Sequence, residues 1–266
     1  MDVLPAVGGF STAAGTRPRL RPVFARAAIG RLAQIVRSGS SAGTGGIQGS
    51  RVLLPEAGTG ILAGQLARAG LQVLASDSNQ HLAVQLTRSL PQVAVSCASL
   101  NALPVQSGTI DLICFAQESE QDSEGMMDSE VFRVLRPEAS LALLVNQQDN
   151  SSPWAQDLTE LTATITATLT ATPITAGTQE QLAAEAFPKV SKYFSDPVCE
   201  SFAHPVLSSV DQLVQQLRSS AAATQMLPTE QALLLEQARQ LLSDHADSSG
   251  ALELQQHTVL WLWRAV

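Results

Sequence analysis

The sequence predicts an α/β fold with a doubly wound, mainly parallel sheet, and three observations predict it. From Arg51 onward, short apolar runs alternate with stretches whose apolar residues recur at spacings of three and four, the pattern of successive strand–helix–strand units. A glycine-containing turn joins the first run to the first of those helices. The last stretch alternates large apolar residues with others, as a closing antiparallel strand does.

Residues 24–36 interleave arginine with Ala, Ile and Leu and read as a helix. The same region has a second reading: residues 1–50 carry Arg17, Arg19, Arg21, Arg26, Arg31 and Arg37 against one acid, Asp2, and such an acid-poor, Arg- and Ser-rich start resembles an organelle transit peptide. Residues 38–50, SGSSAGTGGIQGS, have the composition of a flexible linker. Strands follow at Val52–Leu54, Gln72–Ser76, Val93–Cys97, Ile110–Phe115 and Leu141–Val145, with helices between them at Ile61–Ala69, Gln80–Leu90 and Met126–Leu135. A helix opens at Pro153, but the alternation of Thr162, Thr164, Thr166, Thr168, Thr170 and Thr172 with apolar residues favours a strand beyond it. Helices at Val210–Arg218 and Thr229–Leu242 come next, the second opened by Pro228. A terminal strand over Leu252–Val266 would place Val259, Trp261 and Trp263 on one face. The organisation expected is an N-terminal helix and linker over 1–50, then one α/β domain over 51–266 carrying a helical insertion at about 153–245.

Composition narrows the function. A chain of 266 residues, 45% hydrophobic and 15% charged, can bury a full core. Its net charge of -8 opposes nucleic-acid phosphates and anionic membrane surfaces. No apolar run approaches the roughly 20 residues of a bilayer-spanning helix. A soluble, cytoplasmic protein with neither nucleic-acid nor membrane partners is the expectation, organelle import being the alternative. Cys97, Cys114 and Cys199 form no close pair, which suits a reducing compartment. The four histidines lack ligand spacing, so no metal site is expected.

The chemistry concentrates in Val52 to Asn79, where a strand, a loop with Gly58 and Gly60, a helix and a second strand ending at Asp77 follow one another. Glycines at a strand-to-helix turn let backbone approach a ligand, and a carboxylate at the next strand's tip can accept hydrogen bonds from both ribose hydroxyls of an adenosine. A nucleoside-containing cofactor is predicted. Because Gly58, Gly60 and Ala63 also satisfy G-x-G-x-x-A, the loop leaves nicotinamide and S-adenosylmethionine both open.

The glycine loop, Leu103–Pro104 and VFRVLRP at 131–137 leading into LALLV together resemble the class I S-adenosylmethionine-dependent methyltransferases. VNQQDNSSPWAQDL at 145–158 is similar to the WN-x-RDE-x-x-PW-x-x-x-L stretch of a small-molecule subgroup of type 11, related to trans-aconitate and ubiquinone/menaquinone methyltransferases. Phe10 through Phe24, with Arg21–Pro22 in register, resembles that subgroup's N-terminal motif. The resemblance implies a seven-stranded sheet with an antiparallel last strand, S-adenosyl-L-methionine as cofactor and a small-molecule acceptor. It implies that Gly58, Thr59 and Gly60 lie against the methionine part, that Asp77 holds the ribose with Ser78 beside it, and that Leu100–Asn101 flank the adenine. Ala116 and Gln117 would face the sulfonium and the substrate, with Trp154 and Arg21 on the substrate side.

The departures from the pattern are specific. Leu54 stands where the family has an acid and Glu56 where it has its first glycine; the Glu56 carboxylate either intrudes on the cofactor or replaces the missing acid's contact to the cofactor ammonium. Asn101 replaces an acid, Glu120–Gln121 replace a His-Trp pair, and Glu138–Ala139 replace paired glycines. Three readings follow: an active methyltransferase of small molecules, a catalytically degenerate binding protein on the same fold, and an NAD(P)-dependent oxidoreductase. No catalytic base is assigned, because methyl transfer from a sulfonium needs mainly orientation and exclusion of water.

Overall fold

A computed structural model describes residues 23–39, 51–116, 126–148, 152–169, 193–219, 221–224 and 226–266. In chain order the elements are α1 (Arg26–Gly39), β1 (Arg51–Leu54), α2 (Ile61–Arg68), β2 (Gln72–Asp77), α3 (Gln80–Ser89), β3 (Ala94–Cys97), β4 (Ile110–Ala116), α4 (Met126–Val134) and β5 (Leu135–Gln148). They continue as α5 (Pro153–Leu169), β6 (Val198–Ala203), β7 (Val206–Ser209), α6 (Val210–Arg218), α7 (Ala221–Thr224), α8 (Pro228–His245), β8 (Ala251–Leu254) and β9 (Gln256–Arg264).

Seven strands form one sheet in the order β3-β2-β1-β4-β5-β9-β6. The first five pair in parallel, with Val52 opposite Val73 and opposite Leu112. β9 runs against β5: the Ala265 N–H donates to the Ala139 carbonyl and the Thr258 hydroxyl to Asn146 Oδ1, so residue numbers fall on one strand as they rise on the other. The doubly wound sheet with an antiparallel C-terminal strand is therefore present. β1 and β4 are buried on both faces, with Leu53, Leu112, Ile113 and Phe115 at 1% exposure or less, which is why they read as unbroken apolar runs. Sequence order reverses on the two sides of β1, between β2 and β4. Such a switch point opens a crevice beyond the carboxyl ends of the strands.

The chain divides into two compact units, one of residues 1–144, 189–199 and 261–266 and the other of 145–188 and 200–260. In the first, α1 buries Ala28, Ile29, Leu32, Ala33 and Val36. Gln65 of α2 bonds both the N–H and the carbonyl of Phe24, and Arg37 donates to the Ala69 carbonyl. In the second, Trp154, Ala155, Val210, Leu213, Val214, Leu242, Leu252 and Leu254 form one apolar cluster. No helix among the described residues is long and apolar enough to cross a membrane.

Two local expectations are corrected. The threonine alternation does not make a strand within the described residues: α5 continues through Leu169. Thr159 and Thr162 donate their hydroxyls to the Ala155 and Leu158 carbonyls, so a β-branched residue finds its partner one turn back inside the helix. The terminal strand is two strands, β8 pairing with β7 in a separate antiparallel sheet and β9 joining the main sheet. Nor does β9 keep one buried face: Thr258, Val259 and Leu260 are all buried, because β9 sits between β5 and β6.

β5 starts earlier than the apolar run, at Leu135 directly after α4. Its register against β4 shifts between Ile110, opposite Leu135, and Leu112, opposite Ser140. Glu138 lies within this bulge at φ 60, in the left-handed region that glycine adopts freely. An L-residue there costs about 1–2 kcal/mol, partly offset by the lower unfolded-state entropy of Glu. Replacing Glu138, an exposed side chain, with glycine is expected to raise stability by about 1 kcal/mol. The urea midpoint should rise with its slope unchanged; a lower midpoint would show that the conformation carries no strain.

Candidate functional site

The turn after β1 is shaped by three left-handed residues, Glu56 (φ 49), Gly58 (φ 55) and Gly60 (φ 80). Backbone bonds from Ala57 N–H to the Ser76 carbonyl and from Gly60 N–H to the Ala57 carbonyl close it. At its centre Gly58 N–H donates to Asp77 Oδ2 at 2.9 Å. Asp77 is the last residue of β2, 5% exposed, and its other oxygen accepts Asn79 N–H at 2.8 Å. Asn79 in turn caps α3 by accepting from the N–H groups of His81 and Leu82. One carboxylate thus fastens the β1–α2 turn to the β2–α3 turn. Two of its roughly four lone-pair directions are used, which leaves acceptor capacity for a further donor.

The two glycines do different work. A Cβ on Gly58 would meet nothing within 4 Å, so space lies open beside it and the Glu56 carboxylate does not occupy that direction. A Cβ on Gly60 would stand 2.1 Å from Leu86 Cδ1 and 3.1 Å from Leu90 Cδ1. Gly60, the N-cap of α2, is therefore also a packing glycine that lets α2 and α3 approach. Glu56 has the left-handed backbone that glycine adopts freely.

Around this turn, Ser78 and Asn101 are exposed, Leu100 is buried, and Ala116 closes β4 half-buried. Leu54, 2% exposed, is a core residue of β1 rather than a site residue. Trp154 is 7% exposed within the apolar cluster of the second unit. Arg21, Gln117 and Glu120–Gln121 lie outside the described residues. Among the described residues no group of three or more His, Cys, Asp or Glu could hold a metal ion. Cys114 is enclosed in β4, and burial pushes its thiol well above the ordinary range, so it is chemically inert.

A pair that sequence reading did not single out stands on α4. Glu130 Oε1 accepts the Leu103 N–H at 2.8 Å, and both its oxygens accept from Arg133 at 2.7 Å. The hydrogen bond from Arg133, the largest influence, holds the Glu130 carboxyl below the usual carboxylate range; desolvation, next in size, pushes it up, and the Leu103 hydrogen bond and the Arg133 charge lower it further. Its sequence signal was present, an acid and an arginine three residues apart on a helix. Its target, 27 residues away in the chain, was not visible.

A family model described as a methyltransferase domain matches residues 56–143, from the β1–α2 turn to β5. An uncharacterized methyltransferase of Mycobacterium bovis is 32% identical over 111 residues, 42% of this chain and 46% of that protein. One of Schizosaccharomyces pombe is 29% identical over 113 residues, 42% of this chain and 45% of that protein. The matched segment therefore spans less than half the length of these curated relatives. Among solved structures, a protein designated a type II methyltransferase from Anaeromyxobacter dehalogenans superposes with a TM-score of 0.63 at 16% identity, covering 92% of this chain and 97% of the other. The YcgJ protein of Bacillus subtilis gives 0.51 at 13%, covering 91% and 99%. At such identities the likeness speaks for the fold.

The geometry separates the glycines experimentally. Gly58→Ala should cost about 1 kcal/mol, the left-handed penalty alone. Gly60→Ala should cost about 3 kcal/mol, because it adds overpacking against a buried leucine. Denaturant melts of the two variants check this, and equal losses would contradict the close approach of α2 to α3.

Proposed function

We propose that the chain is a class I S-adenosylmethionine-dependent methyltransferase that transfers a methyl group from S-adenosylmethionine to a small-molecule acceptor, a reading supported by the methyltransferase-domain match over residues 56–143 and by the similar fold. The observation that carries the proposal is the Gly58–Asp77 arrangement, a buried carboxylate with free acceptor capacity beside an open glycine turn at the sheet's switch point. The residues present fit the cofactor. Asp77 would accept from the ribose hydroxyls while keeping the turn tied to β2, with Ser78 beside it. Gly58, Thr59 and Gly60 would present backbone to the methionine part, Leu100 and Asn101 would wall the adenine, and Ala116 would stand by the sulfonium. Glu56 would meet the ammonium with a charge-assisted bond, taking over the part of the acid that Leu54 replaces.

When bound, S-adenosylmethionine would supply an electrophilic methyl on a sulfonium, whose C–S bond breaks as the acceptor nucleophile bonds the methyl, leaving the neutral thioether S-adenosylhomocysteine. The protein's part is to orient and to exclude water, effects that together contribute roughly 7–11 kcal/mol to such reactions. No base is required for an acceptor already ionised at neutral pH. Gln117 and Arg21 are proposed on the acceptor side, in a cytoplasmic enzyme.

A calorimetric titration with S-adenosylhomocysteine tests the reading, and heat together with a raised melting temperature is expected. No response at millimolar ligand would favour a catalytically silent binding protein, and a response to NADH alone would restore the oxidoreductase reading. Asp77→Ala should weaken S-adenosylhomocysteine by about 1.5–3 kcal/mol. Unchanged affinity would remove Asp77 from the site.

A further inference from the structure

The loop proposed to wall the adenine, residues 98–109, contains neither helix nor strand. Its internal backbone bonds, from Ala102 N–H to the Ser99 carbonyl and from Val105 N–H to the Leu103 carbonyl, close short turns. We infer that Glu130 and Arg133 of α4 form a clamp that fixes this loop and thereby sets the affinity for the cofactor, so that both are positioning residues for methyl transfer. The inference rests on Leu100–Asn101 flanking the adenine.

The contacts grip the second half of the loop, from Leu103 to Thr109. Leu103 is held by both of its backbone groups, its N–H donating to Glu130 Oε1 at 2.8 Å and its carbonyl accepting from Arg133 Nη2 at 3.2 Å. Arg133 Nη1 donates to the Val105 carbonyl at 3.1 Å and to Ser107 Oγ at 3.0 Å. The Gly108 N–H returns to the Arg133 carbonyl at 2.9 Å and the Thr109 N–H to that of Val134 at 3.0 Å. Leu103 and Leu100 both bury their side chains, at 4% and 5% exposure, so the loop is anchored by its apolar residues as well as its backbone.

The arginine is needed for its shape as much as its charge. A guanidinium presents five N–H groups in one plane, and here Nε and Nη2 take both oxygens of Glu130 while Nη1 and Nη2 reach loop oxygens. A lysine ammonium at the same position has three donors and no such fork. Glu130 both orients that fork and satisfies the Leu103 N–H, so its loss releases the loop at two places. A loop freed to sample other conformations binds less tightly, its apparent dissociation constant rising as the reciprocal of the fraction of time it spends in the competent one.

The alternative role for the pair is fold stability alone, and the two roles predict different measurements. Dissociation constants for S-adenosylhomocysteine are to be measured by calorimetry well below every variant's melting temperature. Glu130→Ala is expected to weaken binding by about tenfold, equivalent to 1.4 kcal/mol. Glu130→Gln, which keeps an acceptor for Leu103, should fall between it and the wild type, and Arg133→Lys should weaken binding as well. The control is Leu234→Ala in the second unit, a fully buried α8 position, which should lower the melting temperature and leave the dissociation constant unchanged. Wild-type affinity in Glu130→Ala and Arg133→Lys, with melting temperatures lowered, would overturn the clamp and leave the pair a fold element. Absence of binding to the wild type would instead overturn the cofactor reading on which it rests.

Discussion

The hydrogen bond between Gly58 N–H and the Asp77 carboxylate is the contact on which the candidate site depends. It joins two turns that the chain makes 19 residues apart, and it does so with a charged acceptor, whose bonds are about twice as strong as neutral ones. Everything around it is arranged to present that N–H. Glu56, Gly58 and Gly60 adopt left-handed φ values, Ala57 is tied to Ser76, and Gly60 brings α2 against Leu86 of α3. The turn is held by hydrogen bonds to the protein's own backbone and to Asp77. A turn cross-linked in this way has less freedom to lose when a ligand orders it.

Most of the first unit was legible because its signals are local. β1, β2 and β4 are short apolar runs, their helices repeat every three to four residues, and the glycine turn and Asp77 fall within one strand–helix–strand unit. The failures have physical causes. Threonine spaced by two satisfies a strand's alternation, yet each hydroxyl can equally bond a carbonyl four residues back, as Thr159 and Thr162 do. The terminal segment reads as one strand because periodicity is blind to which sheet each half joins. Glu130 and Arg133 stayed hidden because a side chain's backbone partner on a distant loop leaves no imprint on composition or period.

The two glutamates at left-handed positions connect the sequence's departures to its shape. Glu56 and Glu138 are the non-glycine residues with positive φ among those described, a conformation that glycine adopts at no steric cost. A glutamate held at such dihedrals implies that neighbouring contacts over-determine them. At Glu138 these are the register shift between β4 and β5 and the ion pair of Arg136 with Asp111, whose second oxygen holds the Arg51 N–H. At Glu56 they are the bonds that close the turn on β2.

The docking of α1 bears on how the protein can be handled. Its apolar stripe from Ala28 to Val36 is covered within the first unit, Arg37 donates to the Ala69 carbonyl, and Gln65 bonds Phe24 just ahead of the helix. A truncation begun at Arg51, natural as it looks from the glycine- and serine-rich stretch before it, would strip the partner from the surface that α1 covers. Newly bared apolar area of that kind promotes self-association, so shortened versions of this chain should be judged first by their tendency to aggregate in expression.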